Sequence, residues 1–172
     1  MTSQLNRRSF ARRIAVVSSV GLLAGCGGSS DGSSGGSNGD GSGDSGGAAQ
    51  TTPAGSEVSE YLSNSANFDG DLVVKASSDA VSVKVGAEGN GGAYAYAPVA
   101  IEISSGTTVM WEWTGEGNAH NVVSQGDGPL DSGSPVAESG TTYEHTFEDS
   151  GTHLYYCTPH KSMGMKGAVV VR

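Results

Sequence analysis

GTHLYYCTPHKSMGMKGAVVV, residues 151 to 171, reads as strand, tight loop, strand, and its loop places a thiol, an imidazole and two thioethers within nine positions. THLYYC (152–157) is extended chain ending on Cys157. Pro159, beside His160, cannot donate to a strand ladder and stops that strand. GAVVVR (167–172) then starts the last strand. Cys157, His160, Met163 and Met165 carry soft or borderline donor atoms, so the loop is a candidate metal site. The spacing alone leaves open which methionine would face an ion, because either thioether could reach from a flexible loop.

Upstream, VSEYLSNSANF (58–68) has the pattern of a short helix or turn. DLVVKAS, VSVKVGA, AYAYA, VAIEIS, TTVMWEW, HNVVSQ and TTYEHTF follow as short segments separated by Gly, Asn, Ser, Asp or Pro. Many short strands with turn signals between them predict an all-β fold, an antiparallel sandwich or barrel. In VAIEIS, Val99, Ile101 and Ile103 are expected on one face, as are Val109, Trp111 and Trp113 in TTVMWEW. The folded domain is expected over residues 56–172, a core large enough to stand without disulfides.

The first third has a different character. NRRSFARRIAVVSSVGLLAGCGG (6–28) runs from adjacent arginines through an apolar stretch, Ile14 to Leu23, into small residues. That stretch is short for a membrane span and has the layout of an export signal. Arg7-Arg8-Ser9-Phe10 resembles a twin-arginine signal and Leu23-Ala24-Gly25-Cys26 a lipobox, so residues 1–25 are expected to be removed and Cys26 to be lipidated. The protein would then be exported and anchored to the outer face of the cell membrane. Residues 26–55 are rich in Gly, Ser and Asp with no apolar run able to form a core, and are expected to be a tether. About 30 such residues span roughly 30 Å on average and at most about 100 Å. A Cys26–Cys157 disulfide is the competing use of the two cysteines.

The formal net charge is −9. Arg7, Arg8, Arg12 and Arg13 lie in the leader; without these four of the nine Lys+Arg, five face 18 Asp+Glu, a net of −13. Such a balance argues against nucleic-acid binding and favours solubility. It fits a solvated surface of the kind suited to high salt, or a docking patch for a cationic partner. At molar salt the Debye length is about 3 Å, which screens long-range steering.

A metal site needs a third donor from elsewhere. His153 is on the same strand as Cys157 and about 13 Å away at strand rise, too far to share one ion. His145, in TYEHTFED, has charged neighbours and is expected to be partly exposed. His120, in GNAHNVVS, sits where a turn runs into a strand and could point toward a loop at the same end of a sandwich; the residues alone do not decide between a ligand and a structural histidine. His₂Cys with a weak axial methionine is the donor set generally assigned to blue-copper electron-transfer sites, a matter of known copper chemistry rather than of this spacing.

AHNVVS followed by GTHLYYCTPHKSMGMKGAVVV, together with NFDG, VGAEGNGGAYAYAP and TTVMWEWTGEGNAHNVV, resembles the cupredoxin superfamily, in particular the halocyanins, plastocyanin-like proteins of halophilic archaea. The likeness covers roughly residues 57–172, and with the leader and tether the whole architecture. The resemblance implies a Greek-key β-sandwich holding one type 1 copper ion through His120, Cys157, His160 and Met165, the methionine that fits the Cys-x2-His-x4-Met spacing. It also implies that Asn121 ties the two ligand loops together through Thr158. Met163 and Pro159 would form an apolar contact patch for redox protein partners of a membrane electron-transport chain, and a monomer is expected.

The corresponding function is one-electron transfer, Cu(I)/Cu(II), with copper delivery or storage without redox turnover as the alternative. No enzyme is expected: there is no GxSxG, HExxH or second CxxC, and Cys157 with His160 lacks an evident oxyanion arrangement.

Overall fold

The computed structural model describes residues 49–172; the leader at 1–25, the lipidation expected at Cys26 and most of the tether lie outside the described residues. The described chain forms ten strands and one short α-helix. In order these are β1 (Thr51–Pro53), α1 (Ser56–Tyr61), β2 (Asp71–Val74), β3 (Ala80–Gly89), β4 (Gly92–Ala97) and β5 (Ala100–Ile103), then β6 (Thr107–Trp113), β7 (Val123–Ser124), β8 (Thr142–Phe147), β9 (Gly151–Tyr156) and β10 (Lys166–Val171). A 3₁₀ turn, Thr158–Met163, separates the last two.

The strands make two sheets, ordered β1-β2-β5-β10-β9-β7 and β4-β3-β6-β8. Each is mixed rather than purely antiparallel: β2–β5, β5–β10 and β3–β6 run parallel. The departure from the antiparallel expectation follows from connectivity. The chain leaves the first sheet after β2, forms β3 and β4 in the second, and returns as β5 in the same sense as β2. These crossings make the sandwich a Greek key. Among the described residues, strand pairing starts at Thr51, opposite Val73, so backbone ahead of residue 56 belongs to the sheet.

Between the sheets lies a core that includes Val83, Val85, Tyr96, Ile101, Ile103, Val109, Trp111, Trp113, Phe147, Tyr155, Val169 and Val171. Val109, Trp111 and Trp113 share the inward face of β6, as alternation requires. Val99 does not join Ile101 and Ile103; it precedes β5 and packs in a second cluster with Val58, Leu62, Leu72, Ala100, Ala168 and Val170. That cluster lies where α1 covers the outer face of the first sheet. β10 is therefore buried on both faces, which explains why its sequence is a continuous apolar run instead of an alternating one.

Candidate metal centre

β6, β9 and β10 position one end of the sandwich. Cys157 follows β9 directly. Its carbonyl accepts the His160 N–H at 3.1 Å, so Pro159 opens a 3₁₀ turn that brings the imidazole back over the sulfur. Gly164 ends the turn at φ +99, a left-handed conformation that favours glycine. The Met165 N–H then donates to the His160 carbonyl at 3.2 Å, and the Met165 carbonyl accepts the Cys157 N–H at 3.0 Å. Residues 157, 160 and 165 are thus laced together by backbone.

His120 arrives differently. HNVVSQ is not a six-residue strand: pairing in β7 is confined to Val123–Ser124, and His120 makes a single antiparallel bridge to Val136. Both bonds of that bridge are short, 2.8 and 2.9 Å, and the His120 carbonyl also accepts the Trp113 indole N–H at 3.0 Å. Gly117, at φ +77, supplies the preceding turn; a Cβ there would run into the Ala93 carbonyl and lie 2.9 Å from His120 Nε2.

These segments converge. His120 Nδ1 lies 3.1 Å from His160 Nδ1 and 3.6 Å from Cys157 Sγ, and His160 Nδ1 lies 3.4 Å from the same sulfur. A point in the plane of that triangle is about 2 Å from all three atoms, the length of bonds from a transition metal to nitrogen and sulfur. The remaining nitrogen of His120, Nε2, is 2.9 Å from the Glu116 carbonyl. A carbonyl accepts only a proton there, so Nε2 is the protonated nitrogen and Nδ1 offers its lone pair. Among the described residues this is the one group of three His, Cys, Asp or Glu side chains with the proximity to hold a metal ion.

His120 and Cys157 are 1% and 0% exposed, whereas His160 is half-buried. Burial lowers the pKa of both histidines, favouring the neutral, ligating form. Burial pushes the Cys157 thiol up, opposed by the backbone N–H groups of Asn121 and His160. The donor set, two neutral imidazoles and a thiol with a thioether in the same core, fits copper, which shifts between a soft and a harder state.

Met165 is 0% exposed and packs in the inter-sheet core with Cys157, while Met163 is 43% exposed. Asn121 bridges the two loops: its Oδ1 accepts the Thr158 N–H at 2.8 Å, and its Nδ2 donates to Thr158 Oγ1 at 3.2 Å and to the Gly133 carbonyl at 3.0 Å. Pro159 and Thr158 are exposed beside His160. His145 and His153 lie elsewhere, packed against Phe147 with ring centroids 4.7 Å away in each case.

Sequence reasoning missed three neighbours of the site. The Tyr94 ring packs against His160 at 4.8 Å between centroids, Tyr96 donates its hydroxyl to the Asn121 carbonyl at 2.5 Å, and Val136 pairs with His120. Alternation in AYAYA puts Tyr94 and Tyr96 on one face, but nothing local says which end of the sandwich they meet.

A family model described as copper binding proteins of the plastocyanin/azurin family matches residues 81–172. Halocyanin from Natronomonas pharaonis is 43% identical over 168 residues, 97% of this chain and 98% of that protein. Plastocyanin from Scenedesmus fuscus is 34% identical over 100 residues, 54% of this chain and 99% of that one. Among solved structures, oxidized plastocyanin from Dryopteris crassirhizoma is 27% identical with a TM-score of 0.44, covering 54% of this chain and 100% of that chain. The match over residues 81–172 and the near full-length relative show that this chain belongs to the plastocyanin/azurin family of copper-binding proteins, the cupredoxins.

Proposed function

We propose that the protein is an exported, membrane-tethered carrier of single electrons between redox partners, with one type 1 copper ion held by His120, Cys157, His160 and Met165. The observation that carries this reading is convergence: His120, 37 positions before Cys157, presents Nδ1 to the same point as the sulfur and His160 Nδ1. Copper, when bound, supplies a one-electron Cu(I)/Cu(II) couple.

The chain's part is to hold the donors still. Asn121, the Trp113 indole and the Val136 bridge fix His120 before any metal arrives, and the 157–165 backbone bonds fix the other loop. Cys157 must give up its proton to bind, and the two backbone N–H groups at its sulfur favour the thiolate. A preorganised site changes little between oxidation states, which is what rapid electron exchange needs.

Exchange is assigned to the accessible edge of His160. Met163 and Val136, 43% and 39% exposed, are the large hydrophobics exposed among the described residues, and both flank the donors. With Pro159 they offer an apolar contact of the small size typical of transient redox complexes, below about 1,200 Å². A bulky charge at Met163 should slow exchange with a partner. Burial of His120, Cys157 and Met165 weighs against delivery, which needs an ion accessible to the recipient.

Export and anchoring rest on the twin-arginine and lipobox motifs, and similarity to the Natronomonas halocyanin along 97% of the chain supports a shared layout. The test of the central reading is the visible spectrum of copper-loaded protein: strong blue absorption after oxidation, bleached reversibly by reductant, is expected. A holo-protein that stays colourless under oxidant overturns it.

A further inference from the structure

Met165 sits between two residues gripped from outside the sandwich. The segment after α1 turns back at Ser65, whose N–H donates to the Leu62 carbonyl at 2.8 Å. The Ser65 hydroxyl, in a residue only 5% exposed, donates to the Gly164 carbonyl at 2.8 Å. On the other side of Met165, Lys166 Nζ donates to the Tyr61 carbonyl at 3.1 Å and to Asn64 Oδ1 at 2.7 Å. The segment is itself fastened to the β3–β4 hairpin: the Ala66 N–H donates to Asn90 Oδ1, and Asn67 Nδ2 to the Tyr96 carbonyl, each at 2.8 Å.

The Gly164 carbonyl belongs to the peptide plane that also carries the Met165 N–H. That plane is held at both edges, its oxygen by the Ser65 hydroxyl and the Lys166 N–H and its N–H by the His160 carbonyl. Gly164 is the pivot, because at φ +99 it has the widest choice of backbone conformations, and it is packed so closely on Asn64 that a Cβ would collide with the Asn64 carbonyl. A buried hydroxyl is costly unless bonded, and this one is spent on the single peptide that aims the methionine. A thioether is a weak donor, so a metal held by Met165 would not by itself fix that side chain, and the protein frame would have to.

We infer that Ser65, supported by Asn64 and Lys166, is a positioning residue: the segment 61–66 is a clasp that sets how closely the Met165 thioether approaches the metal. The inference rests on the ligand set proposed above. It places control of the Met165 thioether in an element outside both sheets.

The test compares Ser65→Ala and Ser65→Thr in full copper-loaded protein. Ser65→Ala should change the shape of the visible and EPR spectra and shift the oxidised-to-reduced ratio at a fixed ambient potential, by up to about fivefold, the ceiling if one hydrogen bond of about 1 kcal/mol held in one oxidation state alone. Ser65→Thr, which keeps the hydroxyl, should restore both. In metal-free protein, amide exchange at Met165 should speed up in Ser65→Ala alone. A Ser65→Ala protein that is less stable but keeps the wild-type spectrum and poise overturns the clasp. If Ser65→Ala does not fold, Asn64→Ala at an exposed position decides on the same readouts, a spectral shift supporting the clasp and an unchanged spectrum overturning it. Colourless wild-type protein would instead remove the ligand set, which separates the two failures.

Discussion

Met163 and Met165 are two positions apart and differ by burial: one is on the rim beside His160, the other sealed in the core with Cys157. Met165→Leu should alter the colour and reduction potential, while Met163→Leu should leave both as they are. Met165→Leu nearly conserves volume, so the metal-free protein should lose less than about 1.5 kcal/mol. A spectrum that responds to position 163 and ignores 165 would exchange the assignments. Asn121 makes two side-chain hydrogen bonds to Thr158 across the two donor loops and a third to the Gly133 carbonyl. Asn121→Ala should lower the urea-unfolding stability of metal-free protein by about 1–3 kcal/mol, because its part-buried side-chain hydrogen bonds are lost together. It should also hasten copper loss to a chelator, and wild-type values in both measurements would reject the bridging role.

α1 is too short to be stable alone and owes its place to Val58 and Leu62, one turn apart and buried on the sheet. Leu62→Ala should cost about 2–5 kcal/mol in metal-free protein, read from urea titration. A loss near zero would mean that α1 is only loosely applied. At the junction of β8 and β9, Phe147 lies between His145 and His153. Burial lowers the His153 pKa from 6.5, His145 acts in the same direction, and Asp149 opposes them. The unfolded chain therefore binds this proton at higher pH than the folded one. The stabilising contribution is complete above pH 6.5 and is lost as pH falls through 6.5 toward the folded value. Melting temperature should fall below pH 6.5 more steeply in wild type than in His153→Gln; the comparison isolates His153, because His120 and His160 shift the same way in both proteins. Equal slopes would remove His153 from the acid response.

The whole chain carries a net charge of −9 over 172 residues. Self-repulsion of that size favours dispersion in water and weakens as added salt screens it. Cys26→Ser should shift the protein from the membrane fraction to the soluble fraction. Membrane association that survives the substitution would rule out the lipid anchor.

The loop 151–171 made strand, turn and donor atoms legible because Pro159, Gly164 and the apolar run 167–171 act locally, through backbone sterics and alternation. The all-β class, the inward face of β6 and the candidate donors were readable for the same reason. The parallel pairings were not, because sheet order depends on which sheet a strand enters after each crossing, which neighbouring residues do not encode. Nor were Tyr94, Val136 and Ser65, which reach the site across 66, 16 and 99 positions of chain. Residue chemistry by itself determined that a soft metal could be bound. Only the tertiary structure decided that His120 Nδ1 faces the sulfur, because that orientation is held by the Glu116 carbonyl, the Trp113 indole and Val136, contacts that exist only once the loops have met.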